Sequence, residues 1–210
     1  MVDKICDYLT NRIRNKMPEV DEERAEIINY GLHLVIGEVP KTFLFITIAI
    51  ILGIFKEFCI TMLVIFPYRA FSGGFHLKTH IGCILATSIY YCGIAYISQY
   101  QIFSSEIRYI LIQLVWVFGM IMCRLYAPAD TENVPILRKK DRKIKQILSY
   151  IILTITLIIG LIVKDYIISN IIILGMLVQS IMITRLAYKL TNNKYGYEVY
   201  MQEEQINNIA

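Results

Sequence analysis

Apolar residues recur along this 210-residue chain in two patterns, first periodic and then continuous. Val2, Ile5, Cys6, Leu9, Ile13 and Met17 fall at helical spacing, with Arg12, Arg14 and Lys16 off the stripe. The spacing predicts an amphipathic helix that lies on a membrane surface or packs on the protein's own cytoplasmic side. Pro18 and the acidic run Asp21, Glu22, Glu23 end it and begin a second helix. That helix carries Ile27, Ile28, Leu32, Val35 and Ile36 and is expected to stop or kink near Pro40. Uninterrupted apolar segments follow at 42–55, 58–66, 81–104, 109–123, 147–163 and 166–184. Stretches 81–104, 147–163 and 166–184 hold no charged residue, and runs of about 18 apolar residues read as transmembrane helices.

The first two segments are short. At about 1.5 Å per residue they reach about 21 and 14 Å, against a hydrocarbon core of about 30 Å. They either borrow flanking residues such as Val39 and Tyr68 or form a half-buried hairpin. The expected fold is all-α: a polytopic transmembrane helical bundle of about six membrane segments with an amphipathic surface helix at its N-terminus. A single integral membrane domain, 1–210, then divides into interfacial helices (1–40), two short apolar segments (41–67) and a candidate catalytic segment (67–83). Middle spans (84–123), a basic loop (124–146), two last spans (147–184) and a cytoplasmic tail (185–210) complete it.

Composition agrees: 56% of residues are hydrophobic and 18% charged, below the roughly 25% charged of globular domains. This excludes a soluble enzyme, a disordered tail and a nucleic-acid reader. Net charge is +4, and its distribution speaks to orientation. Cations cluster at Lys4, Arg12, Arg14, Lys16 and Arg24 and again through 124–146, with Arg69 and Lys78 in 67–80. Those regions should face the cytoplasm. Six crossings with both termini inside satisfy every loop. Five scattered cysteines make a poor disulfide framework and fit a reducing side. Charges throughout the first 24 positions argue against a removable signal peptide.

Reactive side chains gather in 67–83, which holds Arg69, Gly73, Gly74, His76, Lys78, His80 and Cys83. A thiol needs a base or a favourable field to attack a carbonyl, since a free cysteine is only about 3% thiolate at neutral pH. The glycine pair lets the backbone turn back or approach a substrate strand. Packing glycines and an inert cysteine are the competing reading. On a helix His80 and Cys83 are neighbours, whereas His76 lies about 10.5 Å from Cys83 along the axis. His76 serves as the base only where the intervening chain is bent or non-helical, which Gly82 would permit. The i, i+4, i+7 spacing of His76, His80 and Cys83 also suits zinc, but no carboxylate accompanies it. His33, alone in an apolar stretch, reads as structural.

A second stretch, Tyr126 to Ile136, contains Pro128, Asp130 and Pro135 and precedes a basic run from Arg138 to Lys145. It predicts an ordered, non-helical connection. Arg138, Lys139 and Lys140 either clamp an acidic substrate tail or mark the inside-positive, lipid-facing side. No phosphate-cradling loop, nucleophile elbow or zinc-protease helix motif occurs, so nucleotide hydrolysis does not drive the chemistry.

Both stretches resemble the accessory gene regulator B family, bacterial membrane endopeptidases that process the propeptide of a cyclic autoinducing signal. The resemblance spans nearly the whole chain. It rests on Arg69, Gly74, the Phe75-His76 pair and Cys83 at the family's spacing, and independently on Tyr126, Ala127, Pro128 and Ala129 with Pro135 downstream. One departure stands out: Glu132, Asn133 and Val134 occupy the place of a basic triplet found in some members.

What the resemblance implies is a cysteine endopeptidase with Cys83 as nucleophile, His76 as general base, and Arg69 and Gly74 in support. His80 matches no catalytic position of the family. Attack by Cys83 on the propeptide would release its acidic C-terminal part and leave a thioester, which an internal cysteine or serine then opens to close a ring. No cofactor is implied. The implied partners are the propeptide, membrane lipid and a second copy of the chain. The location is the bacterial cell membrane, multi-pass, with both termini and the active site cytoplasmic. A non-catalytic peptide transporter or peptide-binding component is the alternative, disfavoured by the near absence of charge inside the long spans.

Overall fold

The structure, a computed structural model, describes residues 2–17, 19–77, 79–101, 103–132 and 135–207. Lys78 and the side chains of His33 and His80 lie outside the described residues. The described residues form α1 (Val2–Lys16), α2 (Glu22–Ile51), α3 (Phe55–Ser72), α4 (His80–Ser98), α5 (Ser105–Tyr126), α6 (Lys139–Ile162), α7 (Tyr166–Met182), α8 (Arg185–Leu190) and α9 (Gly196–Asn207). The all-α expectation holds. Among them no strand forms, and Gly73 and Ala129 form an isolated bridge.

The chain divides into two compact units, Met1–Gly53 and Ile54–Ala210. In the first, α1 packs on α2, with Cys6, Thr10 and Ala25 buried. Asn29 Nδ2 donates to Asp7 Oδ1 at 2.8 Å across the pair. Asp21 caps α2 by accepting the Arg24 amide at 2.8 Å. Of the stop or kink expected at Pro40, the stop does not occur, because the 30-residue α2 runs through it. In apolar surroundings a helix tolerates proline, since neighbouring groups and local adjustment make good the lost bond. Residues 42–51 of segment 42–55 are thus the last part of a helix about 45 Å long. Segment 58–66 is likewise extended at both ends, to the 18 residues of α3, which pass through Pro67.

In the second unit α7 is central, touching α3, α4, α5 and α6. Small residues let the helices close. A Cβ at Gly175 would come within 2.8 Å of the Ile65 side chain, and one at Gly119 within 2.7 Å of Leu153. This is the packing that membrane helices use in place of a hydrophobic driving force. Inside, Asn170 Nδ2 donates to the carbonyls of Ser98 and Tyr100 at 3.3 and 3.0 Å. Leu63, Ile81, Ile89, Leu114 and Ile162 face outward instead, as lipid-facing side chains do. Among the described residues three helices are long and apolar enough to cross a membrane, Ile81–Ser98, Ser105–Tyr126 and Lys139–Ile162, with the shorter Tyr166–Met182 beside them. The result is a membrane helical bundle, with the C-terminal ends of α3, α5 and α7 meeting at one end of it.

Candidate active site

At that end the chain leaves α3 through two glycines. Gly73 has φ +77° and Gly74 φ +142°, both in the region that L side chains avoid. The turn is held by the loop after α5: Gly74 N–H donates to Ala129 O at 2.9 Å, and Ala129 N–H to Ser72 O at 2.8 Å. A Cβ at Gly73 would run into the Ala129 carbonyl. The two stretches marked in the sequence, 67–83 and 126–136, are therefore joined backbone to backbone.

Arg69 braces the same turn from the last turn of α3. Its Nη1 donates to Gln179 Oε1 at 3.3 Å and meets Met182 Sδ at 3.4 Å, while Nη2 donates to Phe75 O at 3.1 Å. Gln179, fully buried in α7, donates from Nε2 to Gly73 O at 2.8 Å and to Ser72 Oγ at 3.1 Å. Tyr90 Oη donates to Gln179 Oε1 at 3.4 Å. A search of the spans for charge passes over Gln179. The available signal was a side-chain amide inside an apolar run, which is costly unless it is bonded.

His76 is exposed on the non-helical stretch that follows Gly74. The chain becomes helical again only at His80, where Thr79 caps α4 with φ −104° and ψ 138°; its Oγ1 accepts the Gly82 amide at 3.1 Å. Cys83, half-buried, lies in the first turn, its N–H donating to Thr79 O at 2.9 Å. His76 and Cys83 therefore do not share a helix, and the axial separation of two helical turns does not apply to them. The chain leaves α3 at Gly73 and enters α4 at His80, so the break precedes Gly82, which belongs to the cap. The i, i+4, i+7 stripe behind the zinc reading is not formed, because His76 stands outside α4.

The loop after α5 is ordered by one carboxylate and a tyrosine cluster. Asp130 has no side-chain exposure. Its Oδ2 accepts from Arg142 Nη1 at 2.8 Å, Ile136 N at 2.9 Å and Tyr197 N at 3.1 Å. Tyr188 Oη lies within donating distance of the carbonyls of Ala129 (2.9 Å) and Asp130 (3.1 Å). Its ring meets Phe75 edge-on and stacks on Tyr195 at 4.2 Å. Burial, then the neighbouring tyrosines, pushes the Tyr188 and Tyr195 hydroxyls well above the usual tyrosine range, so they stay protonated donors. Residues 185–200 are thus built into this end of the bundle. Arg138, Lys139 and Lys140 are exposed at the start of α6. The cation engaged with the loop is Arg142.

Fold and site together define an integral membrane helical protein with a thiol in the first turn of one helix, next to a glycine-built turn that carries a histidine. The family described as accessory gene regulator B matches residues 3–183, and the chain belongs to that family. It is 28% identical to an AgrB-like protein of Listeria monocytogenes serovar 1/2a over 204 residues, 94% of each chain. To an AgrB-like protein of Clostridium perfringens strain SM101 it is 28% identical over 162 residues, 76% of this chain and 75% of the other. To the accessory gene regulator protein B of Staphylococcus aureus strain JH9 it is 26% identical over 180 residues, 86% of this chain and 90% of the other. No solved structure matches it. Membership connects the protein with accessory gene regulator quorum sensing.

Proposed function

We propose that this chain is a membrane cysteine endopeptidase that cleaves the C-terminal part of a quorum-sensing propeptide and assists its cyclisation to a thiolactone or lactone. The observation that carries the reading is the break between α3 and α4, non-helical at residues 73–77 and at Thr79. It frees His76 from the helix of Cys83, and a general base must come within hydrogen-bond reach of the proton it takes.

In this mechanism His76 accepts the thiol proton as Cys83 Sγ attacks the scissile carbonyl. The C–N bond then breaks, and the protonated amine leaves with the released segment. The acyl group remains as a thioester. A cysteine or serine within the same substrate attacks that thioester, closes the ring and returns the proton to Cys83. The positive end of the α4 dipole favours the negative charge that develops there. Arg138, Lys139 and Lys140 sit at the end of α6 where a helix dipole disfavours cations, which supports a role toward an acidic substrate segment or anionic lipid. Reaction at a cytoplasmic membrane face limits water, so that the internal nucleophile competes with hydrolysis.

Incubation of the detergent-solubilised protein with the propeptide, read by mass spectrometry, tests this. Cys83→Ala and His76→Ala should each abolish cleavage while the protein still inserts, and wild type should carry an acyl adduct on Cys83. Full cleavage by Cys83→Ala overturns the reading. A dead His80→Ala beside an active His76→Ala would transfer the base to His80.

A further inference from the structure

Gln179 is a buried group of this end that the proposed reaction does not use. An amide offers two donors and two acceptor lone pairs, and all four are engaged. Nε2 serves Gly73 O and Ser72 Oγ, and Oε1 receives Arg69 Nη1 and Tyr90 Oη. The arrangement also fixes which way the amide points, because only the nitrogen can donate to a carbonyl. From α7, therefore, one side chain reaches both supports of the turn: directly the Gly73 carbonyl, and through Arg69 the Phe75 carbonyl, one residue before His76.

We propose that Gln179 is a positioning residue of the candidate active site, tying the Gly73 carbonyl to the Arg69 guanidinium so that the non-helical stretch holds His76 in one orientation toward Cys83. The inference rests on the Cys83–His76 reading above and adds to it a third helix, α7. Packing alone does not account for the residue, since leucine or methionine would fill the volume without needing four partners. Displacing a catalytic group by about 1 Å costs on the order of a hundredfold in rate.

The test uses full-length protein in lipid nanodiscs and iodoacetamide as the probe. Alkylation at Cys83 is followed at peptide level by mass spectrometry across a range of pH. A thiol paired with a base keeps reacting below the pH range of a free thiol, and His76→Ala should lose that acid-side reactivity. Gln179→Leu should lose it too, by on the order of tenfold, the worth of one or two buried hydrogen bonds. Ser180→Ala is the control: it removes the neighbouring buried hydroxyl, 3.0 Å from Tyr68 Oη, without touching the turn, and should retain the wild-type profile. A wild-type profile in Gln179→Leu overturns the proposal, and so does an equal loss in Ser180→Ala, which would mean a general packing effect. Should Gln179→Leu fail to insert, Arg69→Lys makes the same comparison, because lysine keeps the charge and loses one of the two arms. An unchanged profile in His76→Ala, by contrast, overturns the Cys83–His76 reading itself.

Discussion

A single methyl group at position 73 would separate two loops. Gly73 combines φ +77° with contact against the Ala129 carbonyl, so Gly73→Ala meets both backbone strain, about 1–3 kcal/mol, and a collision. The expected outcome is loss of propeptide cleavage with insertion preserved, measured by cleavage assay beside membrane fractionation. The glycine pair was legible as a turn from the residues alone. Its partner was not, because Ala129 lies in a distant stretch and nothing in its own side chain marks it. The tyrosines add a test in pH. Tyr188 and Tyr195 have raised hydroxyl pKa values through burial, so folding favours their neutral forms. The stability they contribute is complete below the ordinary tyrosine value of about 10 and falls as pH climbs above it. Thermal unfolding in alkaline buffer should therefore show a decline that Tyr188→Phe lessens.

At the scale of elements, the cap of α4 decides where Cys83 sits. Thr79 Oγ1 holds the Gly82 amide, and replacing a cap of this kind costs about 1 kcal/mol. Thr79→Val keeps the shape of the side chain and loses the acceptor, so the first turn of α4 should fray. Faster exchange of the Gly82 amide and slower propeptide cleavage are expected, with Thr79→Ser near wild type. Hydropathy alone located an apolar core for each of α2 to α7, since a long apolar run can satisfy its backbone in lipid only as a helix. It did not foresee that α2 continues through Pro40, where a stop or kink is expected, or that α3 continues through Pro67. The bend that Gly82 would permit begins instead at Gly73.

Over the whole molecule, the polar end of the second unit is organised around Asp130, which connects the loop after α5, the start of α6 through Arg142 and the head of α9 through the Tyr197 amide. The family match stops at residue 183, and from composition 185–210 reads as a tail. Its role was illegible because the tail bonds through backbone amides and tyrosine hydroxyls, which leave no charge pattern. Removing residues 185–210 would leave the carbonyls of Ala129 and Asp130 without the Tyr188 hydroxyl and the Asp130 carboxylate without the Tyr197 amide. Helices α3 to α7 would be intact, so the truncated protein should still insert. Propeptide cleavage should nevertheless fall at least as far as in Asp130→Asn, which weakens the charge-assisted bond to Arg142 and leaves the Arg142 cation poorly paired, a loss of about 3–5 kcal/mol where an ion pair is buried. Tyr188→Phe removes one hydroxyl from the same cluster and should cost about 1 kcal/mol, a smaller loss of cleavage in the same assay. Wild-type cleavage by the truncated chain would mean that α5 and α6 hold the loop against Gly73 unaided, and the C-terminal helices would then have no part in the site.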